Sequence, residues 1–336
     1  MSGAGGERRG RLDPAVAAVR NAVADFADRY DVTEGSLVLV SLSGGADSLA
    51  LAAAAAFVAR SRGFRVGSVT VDHGLQARSS EVASNAAVAA TSLGLDPVVV
   101  ERVVVGSEGG PEAAARNARY AAIARVASEH GAAMTLTGHT LGDQAETVLL
   151  GLARGSGPGS LHGMPEFDGA IGRPLLGIDR ETTRAATLAE GLIPWDDPHN
   201  DDERFTRVRV RNVIMPLLER ELGPGIAKAL ARTAELIRDD DAALDLLAEG
   251  MARTALGDDV PVSFDVDAVA PKPRALRSRI IRIAARTAWG TTLSHAQTLA
   301  IDALLVDWHG QGAIDVTGGR VVRNDGRIVF DQASED

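Results

Sequence analysis

No cysteine occurs in the 336-residue chain. That absence excludes disulfides, thiolate zinc sites and every cysteine-based chemistry of the protein itself. Lysine is almost as scarce. Lys228 and Lys272 are the only two, and arginine carries the rest of the positive charge. Beside so much alanine and glycine, this arginine bias reads as a coding preference with little functional weight. There is no basic excess either. The formal net charge is −10, so a nucleic-acid partner would need a local basic patch. No apolar run approaches the roughly 18 residues of a membrane helix. The opening MSGAGGERRGRLD has charge but no apolar stretch behind it, so it reads as a frayed tail and not a secretory signal. The expected location is the cytoplasm, with no membrane association.

The patterns that are present suggest two domains. Residues 13–30 read as an amphipathic helix. Apolar β-branched runs then alternate with alanine-rich ones. The strand candidates are 37–42, 65–71, 97–105 and 134–137, with helical segments near 48–62, 79–94 and 111–130 between them. This alternation predicts an α/β fold, a doubly wound, mainly parallel sheet whose strand C-termini share one ligand-binding edge. The pattern changes after about residue 155. The glycine- and proline-rich stretch to 175 reads as a long loop, 180–191 as a helix and 194–203 as an acidic turn. Residues 204–256, broken at Gly223-Pro224-Gly225, and 272–308 read as helical, and 314–330 as short hairpin strands around Gly-Gly and Asn-Asp-Gly. The expected organisation is a tail and first helix over 1–30, a catalytic domain over 31–215 and a mainly helical C-terminal domain over 216–336.

Ser43-Gly44-Gly45-Ala46-Asp47-Ser48 stands where the first strand ends and a helix begins. Glycines let backbone amides close around an oxyanion, and the helix N-terminus adds its positive dipole end. Ser43 and Ser48 offer hydroxyl donors. Asp47 would repel bare phosphate and makes sense as a ligand of Mg²⁺ bound to it. The plainer reading is a strand-to-helix turn with Asp47 or Ser48 as N-cap. No lysine follows the glycines, so this is not a Walker A loop, and GxGxxG is missing as well.

SGGADS resembles the pyrophosphate loop of the N-type ATP pyrophosphatases, the PP-loop superfamily. Further stretches narrow the resemblance: Val71-Asp72-His73-Gly74-Leu75, Glu112 to Tyr120 with Arg116 and Arg119, Gly138-His139-Thr140-Leu141-Gly142-Asp143-Gln144-Ala145-Glu146-Thr147, Arg154-Gly155-Ser156-Gly157, and Trp195 through Arg207 into RVRVRNVIMPLL. In order and spacing they are similar to the tRNA(Ile)-lysidine synthetases, strongly over about residues 30–220 and less so beyond. The resemblance implies an adenine nucleotide alpha hydrolase-like PP-loop fold. It also implies a reaction in which ATP adenylates carbon 2 of the wobble cytidine of tRNA(Ile) with a CAU anticodon. The ε-amine of L-lysine then displaces AMP. ATP and Mg²⁺ are the implied cofactors, tRNA and lysine the partners, and a homodimer is among the assemblies the family allows.

Ser43 to Ser48 would hold the nucleotide phosphates, with Asp72, His73 and Gly138 lining the rest of its pocket. Asp143 and Glu146, three apart at a helix start, share one face and suit a cation such as lysine. Capping by Asp143 beside a solvated Glu146 is the plainer alternative. Arg116 and Arg119 suit the lysine carboxylate or a phosphate, and spacing does not divide these jobs. His139 is placed to contact phosphates or the adenylation transition state. The expected catalytic set is therefore Asp47, Arg116, His139, Asp143 and Glu146. The family's usual GHxxDDQxET has Gly142 here in place of its first aspartate.

Two basic clusters are candidate tRNA contacts: Arg204, Arg207, Arg209 and Arg211, and Lys272, Arg274, Arg277, Arg279, Arg282 and Arg286. On their own they read as charged faces paired with acids, and the resemblance raises tRNA contact for the second cluster. Residues 154–163 are expected beside the unstacked cytidine. Two other readings stay open. One is another PP-loop ATP pyrophosphatase, though the tRNA thiolases that carry sulfur on cysteine are disfavoured. The other is a module that binds adenine nucleotide without turnover.

Overall fold

Leu37-Val38-Leu39-Val40 is apolar at every position because strand β1 (Leu37–Ser41) is covered on both faces. Its side chains alternate. Val38 and Val40 join one core cluster, while Leu37 and Leu39 join another on the opposite face. The computed structural model describes residues 12–74, 78–104, 106, 110–155, 157–197, 202–256 and 260–332. Residues 1–11 of the expected frayed tail, Leu75, Val105, Ser156 and residues 198–201 of the acidic turn lie outside them, whereas Asp13 at the end of that tail is the N-cap of the first helix.

β1 is central in a sheet ordered β3-β2-β1-β4-β5, parallel at every pairing. The other strands are β2 (Arg65–Asp72), β3 (Val98–Arg102), β4 (Met134–Thr137) and β5 (Ile171–Gly172). The crossovers are α2 (Ala46–Arg62), α3 (Ser79–Ser92), α4 (Pro111–Glu129) and α5 (Leu141–Arg154). Helix α1 (Pro14–Arg29) buries Val16, Val19, Val23, Phe26 and Ala27, a helical stripe, in the core it shares with α2 and with α6 (Arg180–Ala189). It is part of the sheet-bearing unit rather than of a separate leader. Alanine-rich α2 has buried residues on nearly every side of its first half, since sheet and helices enclose it.

The four expected strands are present, and β5 is an addition. Two residues carry no readable period, so the sequence reads as loop there. Gly172 belongs in this strand for lack of space: a Cβ would lie 2.5 Å from Phe26 Cζ and 2.6 Å from Leu136 Cδ2.

Beyond the sheet, α7 (Thr206–Arg209), a π-helical turn over 210–214 and α8 (Met215–Leu222) lead into the 30-residue α9 (Ile226–Ala255). The chain divides into two compact units within α9, between Glu235 and Leu236, whereas the sequence suggested a division at 215/216. A helix that runs uninterrupted through the division leaves no mark in composition. Met215, Leu218, Ile226 and Leu230 pack with Ala145 and Val210, which ties α8 and the start of α9 to the first unit.

The second unit has its own core. Phe264, Ile280, Ile281, Ile301 and Phe330 are fully buried between α10 (Arg274–Trp289), α11 (His295–Val306) and a four-stranded antiparallel sheet. That sheet has the order β6-β9-β8-β7, from β6 (Val262–Asp265), β7 (Ile314–Val316), β8 (Gly319–Asn324) and β9 (Arg327–Asp331). The hairpins are as expected. Asp325 and Gly326 both have positive φ, 47° and 75°, in the β8–β9 turn. The partner strand β6 was not legible. Phe264 stacks 5.9 Å from Phe330, which lies 5.6 Å from Trp289. Phe264→Ala should lower the stability of this unit by about 3–5 kcal/mol, read from the midpoint of a urea titration followed by tryptophan fluorescence.

Candidate active site

The glycine loop leaves β1 and enters α2 with Gly45 as N-cap, and no side chain caps the helix. Neither Asp47 nor Ser48 serves as the cap, so the turn is not the ordinary capped kind. Gly44 has φ +83°, a conformation strained for any residue with a Cβ. Its carbonyl accepts from the Trp195 amide at 2.9 Å. Ser48 is buried, donates to the Gly45 carbonyl at 2.9 Å and lies 3.2 Å from the Ser43 hydroxyl, so the two serines brace the loop. Ala46 opens α2, and its carbonyl accepts from Thr187 on α6. Amides at an uncapped helix start form an anion cradle.

Beside the loop is a cavity of about 270 Å³. Ser41 to Ser43 and Gly45 line it from β1, Thr70 to His73 from β2, Val82 and Ala83 from α3, Arg119 from α4, and Trp195 with Asp197 from the segment before α7. Among the described buried polar atoms, the Thr70 hydroxyl has no hydrogen-bond partner. Asp72 lines the cavity, but its carboxylate is committed to the turn. It accepts from the Gly74 amide at 3.0 Å and the Ser80 hydroxyl at 2.8 Å. Hydrogen bonding by Ser79, with Ser80 and Gly74, holds its carboxyl below the usual range despite burial.

Gly138 ends β4 against the loop. A Cβ there would lie 3.0 Å from the carbonyl of Asp47 and from the Ser48 amide, so glycine at this point lets two backbones touch. His139 follows, with Nδ1 2.8 Å from the Thr137 hydroxyl. Burial pushes its pKa down to about 4. Asp143 opposes that shift, and Arg173, Arg116 and Arg207 add to it.

Asp143 starts α5 in a capping box. Its Oδ2 accepts from the Thr140 amide at 2.9 Å and the Thr140 hydroxyl at 2.8 Å. Its Oδ1 takes Arg180 at 2.5 Å and Arg211 at 3.3 Å. Burial would raise this carboxyl, but Arg180, the Thr140 amide, His139 and Arg211 hold it low. Glu146 is far from solvated, at 1% exposure. Arg211 binds it at 2.7 and 3.0 Å and Arg207 at 3.3 Å. Asp47 belongs to the same group: Thr183 donates to it and Arg180 stands 3.6 Å away. Burial raises the Asp47 carboxyl, against Thr183 and Arg180. The two carboxylates expected to face an open cleft are thus part of a network of three acids and three arginines.

The sequence reading missed Arg180 and Thr183, since Asp179-Arg180-Glu181 looks like a solvated helix start. It counted Arg211 in a basic cluster offered as a candidate tRNA contact. Arg207 likewise turns inward, onto Glu146 and the Thr147 hydroxyl. Arg204 is exposed and paired with Asp202. Arg116 is exposed, with its guanidinium 4.9 Å over the Tyr120 ring, and only Arg119 of this pair lines the cavity. In the second cluster Arg277 grips Asp302 at 2.7 and 2.9 Å, and Arg279 pairs with Asp241 and Asp245. Lys272 is half-buried, and Arg274 and Arg286 are exposed. The loop at 154–163 is fastened by Gln144, whose amide group bonds both backbone groups of Met164 at 2.9 and 2.7 Å. Gly142 is not among the glycines of positive φ, and a Cβ added there would have the Thr140 hydroxyl as its nearest neighbour, at 3.8 Å, so neither backbone nor space for a Cβ demands glycine at this position.

No group of three or more acid or histidine side chains among the described residues is arranged to hold a metal alone. Asp47 offers one carboxylate beside the anion cradle, the donor set that suits a Mg²⁺ shared with phosphate oxygens. No described helix is long and apolar enough to cross a membrane.

Residues 17–218 match the family model of the PP-loop domain, and residues 264–329 that of the TilS substrate binding domain. The tRNA(Ile)-lysidine synthase of Leifsonia xyli is 57% identical over 303 residues, covering 90% of this chain and 91% of its own length. That of Thermobifida fusca is 50% identical over 319 residues, 94% and 97% of the two chains. Among solved structures, the U34-tRNA thiolase NcsA from Methanococcus maripaludis with its [4Fe-4S] cluster shares the fold. Its TM-score is 0.57 at 18% identity, over 67% of this chain and 80% of that one.

The His139 ring should stay neutral from pH 7 to pH 5, as checked by imidazole NMR; titration near 6.5 would contradict the burial argument. Because the folded-state value lies below the unfolded one, this group takes away stability as pH falls from 6.5 to about 4.

Proposed function

We propose that this chain, which belongs to the tRNA(Ile)-lysidine synthase family, ligates L-lysine to carbon 2 of the wobble cytidine of tRNA(Ile) with a CAU anticodon, at the expense of ATP. The observation that carries this reading is the shared position of two half-sites. One guanidinium, Arg180, reaches both Asp47 of the phosphate loop and the Asp143–Glu146 pair, so nucleotide and amine sites face the same space.

In this reading the cavity beside β1 and β2 takes the nucleoside of ATP. The uncapped amides of α2 and the Ser43 hydroxyl hold its phosphates, while Ser48 braces the loop through the Gly45 carbonyl. Asp47 would hold Mg²⁺, which when bound neutralises charge on the departing pyrophosphate. The cytidine O2 attacks the α-phosphorus and pyrophosphate leaves. Asp143 and Glu146 hold the lysine ammonium. After the ε-nitrogen loses its proton it attacks carbon 2, and the C2–O bond breaks to release AMP. His139, held neutral, serves as a hydrogen-bonding or proton-accepting group, not as a cation. Arg119, in the cavity wall, suits a phosphate. Arg116 is left for the lysine carboxylate or the tRNA.

Labelled ATP should yield AMP only when lysine and the unmodified tRNA are both present. Asp47→Ala and Asp143→Ala should each cost about a hundredfold or more. ATP binding without AMP release would favour a binding module, and AMP release with a different acceptor another member of the superfamily. The uncommitted basic residues Lys272 and Arg274 are the proposed phosphate contacts of the second unit. Replacing either by alanine should reduce the dependence of log tRNA affinity on log salt by about one unit, as measured by filter binding across a salt series.

A further inference from the structure

Arg180 opens α6 directly behind its N-cap Asp179, and Thr183, one turn on, donates to Asp47. The first turn of α6 therefore sends two side chains to the carboxylate of the phosphate loop. Arg180 Nε is 3.6 Å from Asp47 Oδ2, Nη2 is 2.5 Å from Asp143 Oδ1, and Nη1 is 3.7 Å from Glu146 Oε1. Among the described residues no other guanidinium forms ion pairs with both Asp47 and the acid pair. Arg207 and Arg211 approach the pair from α7 and the π-helical turn after it.

The two acids depend on Arg180 unequally. Glu146 keeps Arg207 and Arg211 whatever Arg180 does. Asp143 has its short contact with Arg180 and only a longer one, 3.3 Å, with Arg211. ATP would bring several negative charges to the start of α2, within ion-pair reach of the same guanidinium. Arginine binds phosphate oxygens by paired, charge-assisted hydrogen bonds. Each step of Arg180 toward them strips Asp143 of its main counterion. Asp143 would keep the Thr140 amide and hydroxyl on Oδ2 and the longer Arg211 contact on Oδ1, but a buried carboxylate short of its closest counterion is costly, and a cationic amine relieves that cost.

We propose that Arg180 is a positioning residue exchanged between the Asp143 carboxylate and the phosphates of bound ATP, so that nucleotide binding opens the acid pair to the amine substrate. The proposal rests on Asp143 and Glu146 being the lysine site, as read above. It makes the two binding events reciprocal, each ligand tightening the other by one factor.

The test is equilibrium dialysis of labelled lysine against the full chain, with and without a non-hydrolysable ATP analogue. In the wild type the analogue should tighten lysine binding about tenfold, and lysine should tighten the analogue equally. Arg180→Gln should bind lysine equally well with and without the analogue, while Arg180→Lys should restore part of the coupling. A purely structural role would weaken both ligands and leave their coupling in place. Equal lysine affinity in the wild type under both conditions overturns the exchange, as does intact coupling in Arg180→Gln. Wild-type lysine affinity in Asp143→Asn overturns the site assignment itself.

Discussion

Burying Glu146 is the constraint around which the first unit is arranged. A carboxylate side chain with 1% exposure is costly to bury unless cations are brought to it. Removing one partner of such a pair costs about 3–5 kcal/mol. The cations come from distant parts of the chain: Arg180 from the start of α6, Arg207 from α7 and Arg211 from the turn after it. Folding must therefore place α5, α6 and the α7–α8 segment around one point before that charge is satisfied. Apolar packing of Ala145 with Val210 and Met215 holds α5 against that segment. The same network reaches Asp47, which ties the phosphate loop to the acid pair.

Close backbone contact is the second requirement. Gly138 lets the end of β4 touch the first turn of α2, and Gly172 lets β5 pass Phe26 and Leu136. Thr183 reaches Asp47 and Thr187 reaches the Ala46 carbonyl, so the helix that supplies Arg180 is anchored to the loop it would serve. The second unit keeps a separate aromatic core around Phe264, Trp289 and Phe330. There Arg277 and Arg279 are spent on acids of their own unit.

The sequence by itself determined the parallel sheet, through apolar runs of strand length separated by helical ones, and it determined the glycine loop between β1 and α2, whose glycines are adjacent in the chain. It marked Asp143 and Glu146 as a pair because three residues is a helical spacing. The β8–β9 turn was legible in Asn-Asp-Gly for the same reason: local geometry demands local residues. Tertiary structure alone decided what those acids face. Arg180 lies 37 residues from Asp143 and Arg211 lies 68 away, and no local pattern links them. Charge clusters were only half legible for that reason. Arg207, Arg211 and Arg277 read by themselves as charged faces paired with acids, but the acids that pair with them lie on other helices and could not be named from the chain. The two-residue β5 and the unit boundary inside α9 were hidden likewise, since one is too short to show a period and the other interrupts nothing in the chain.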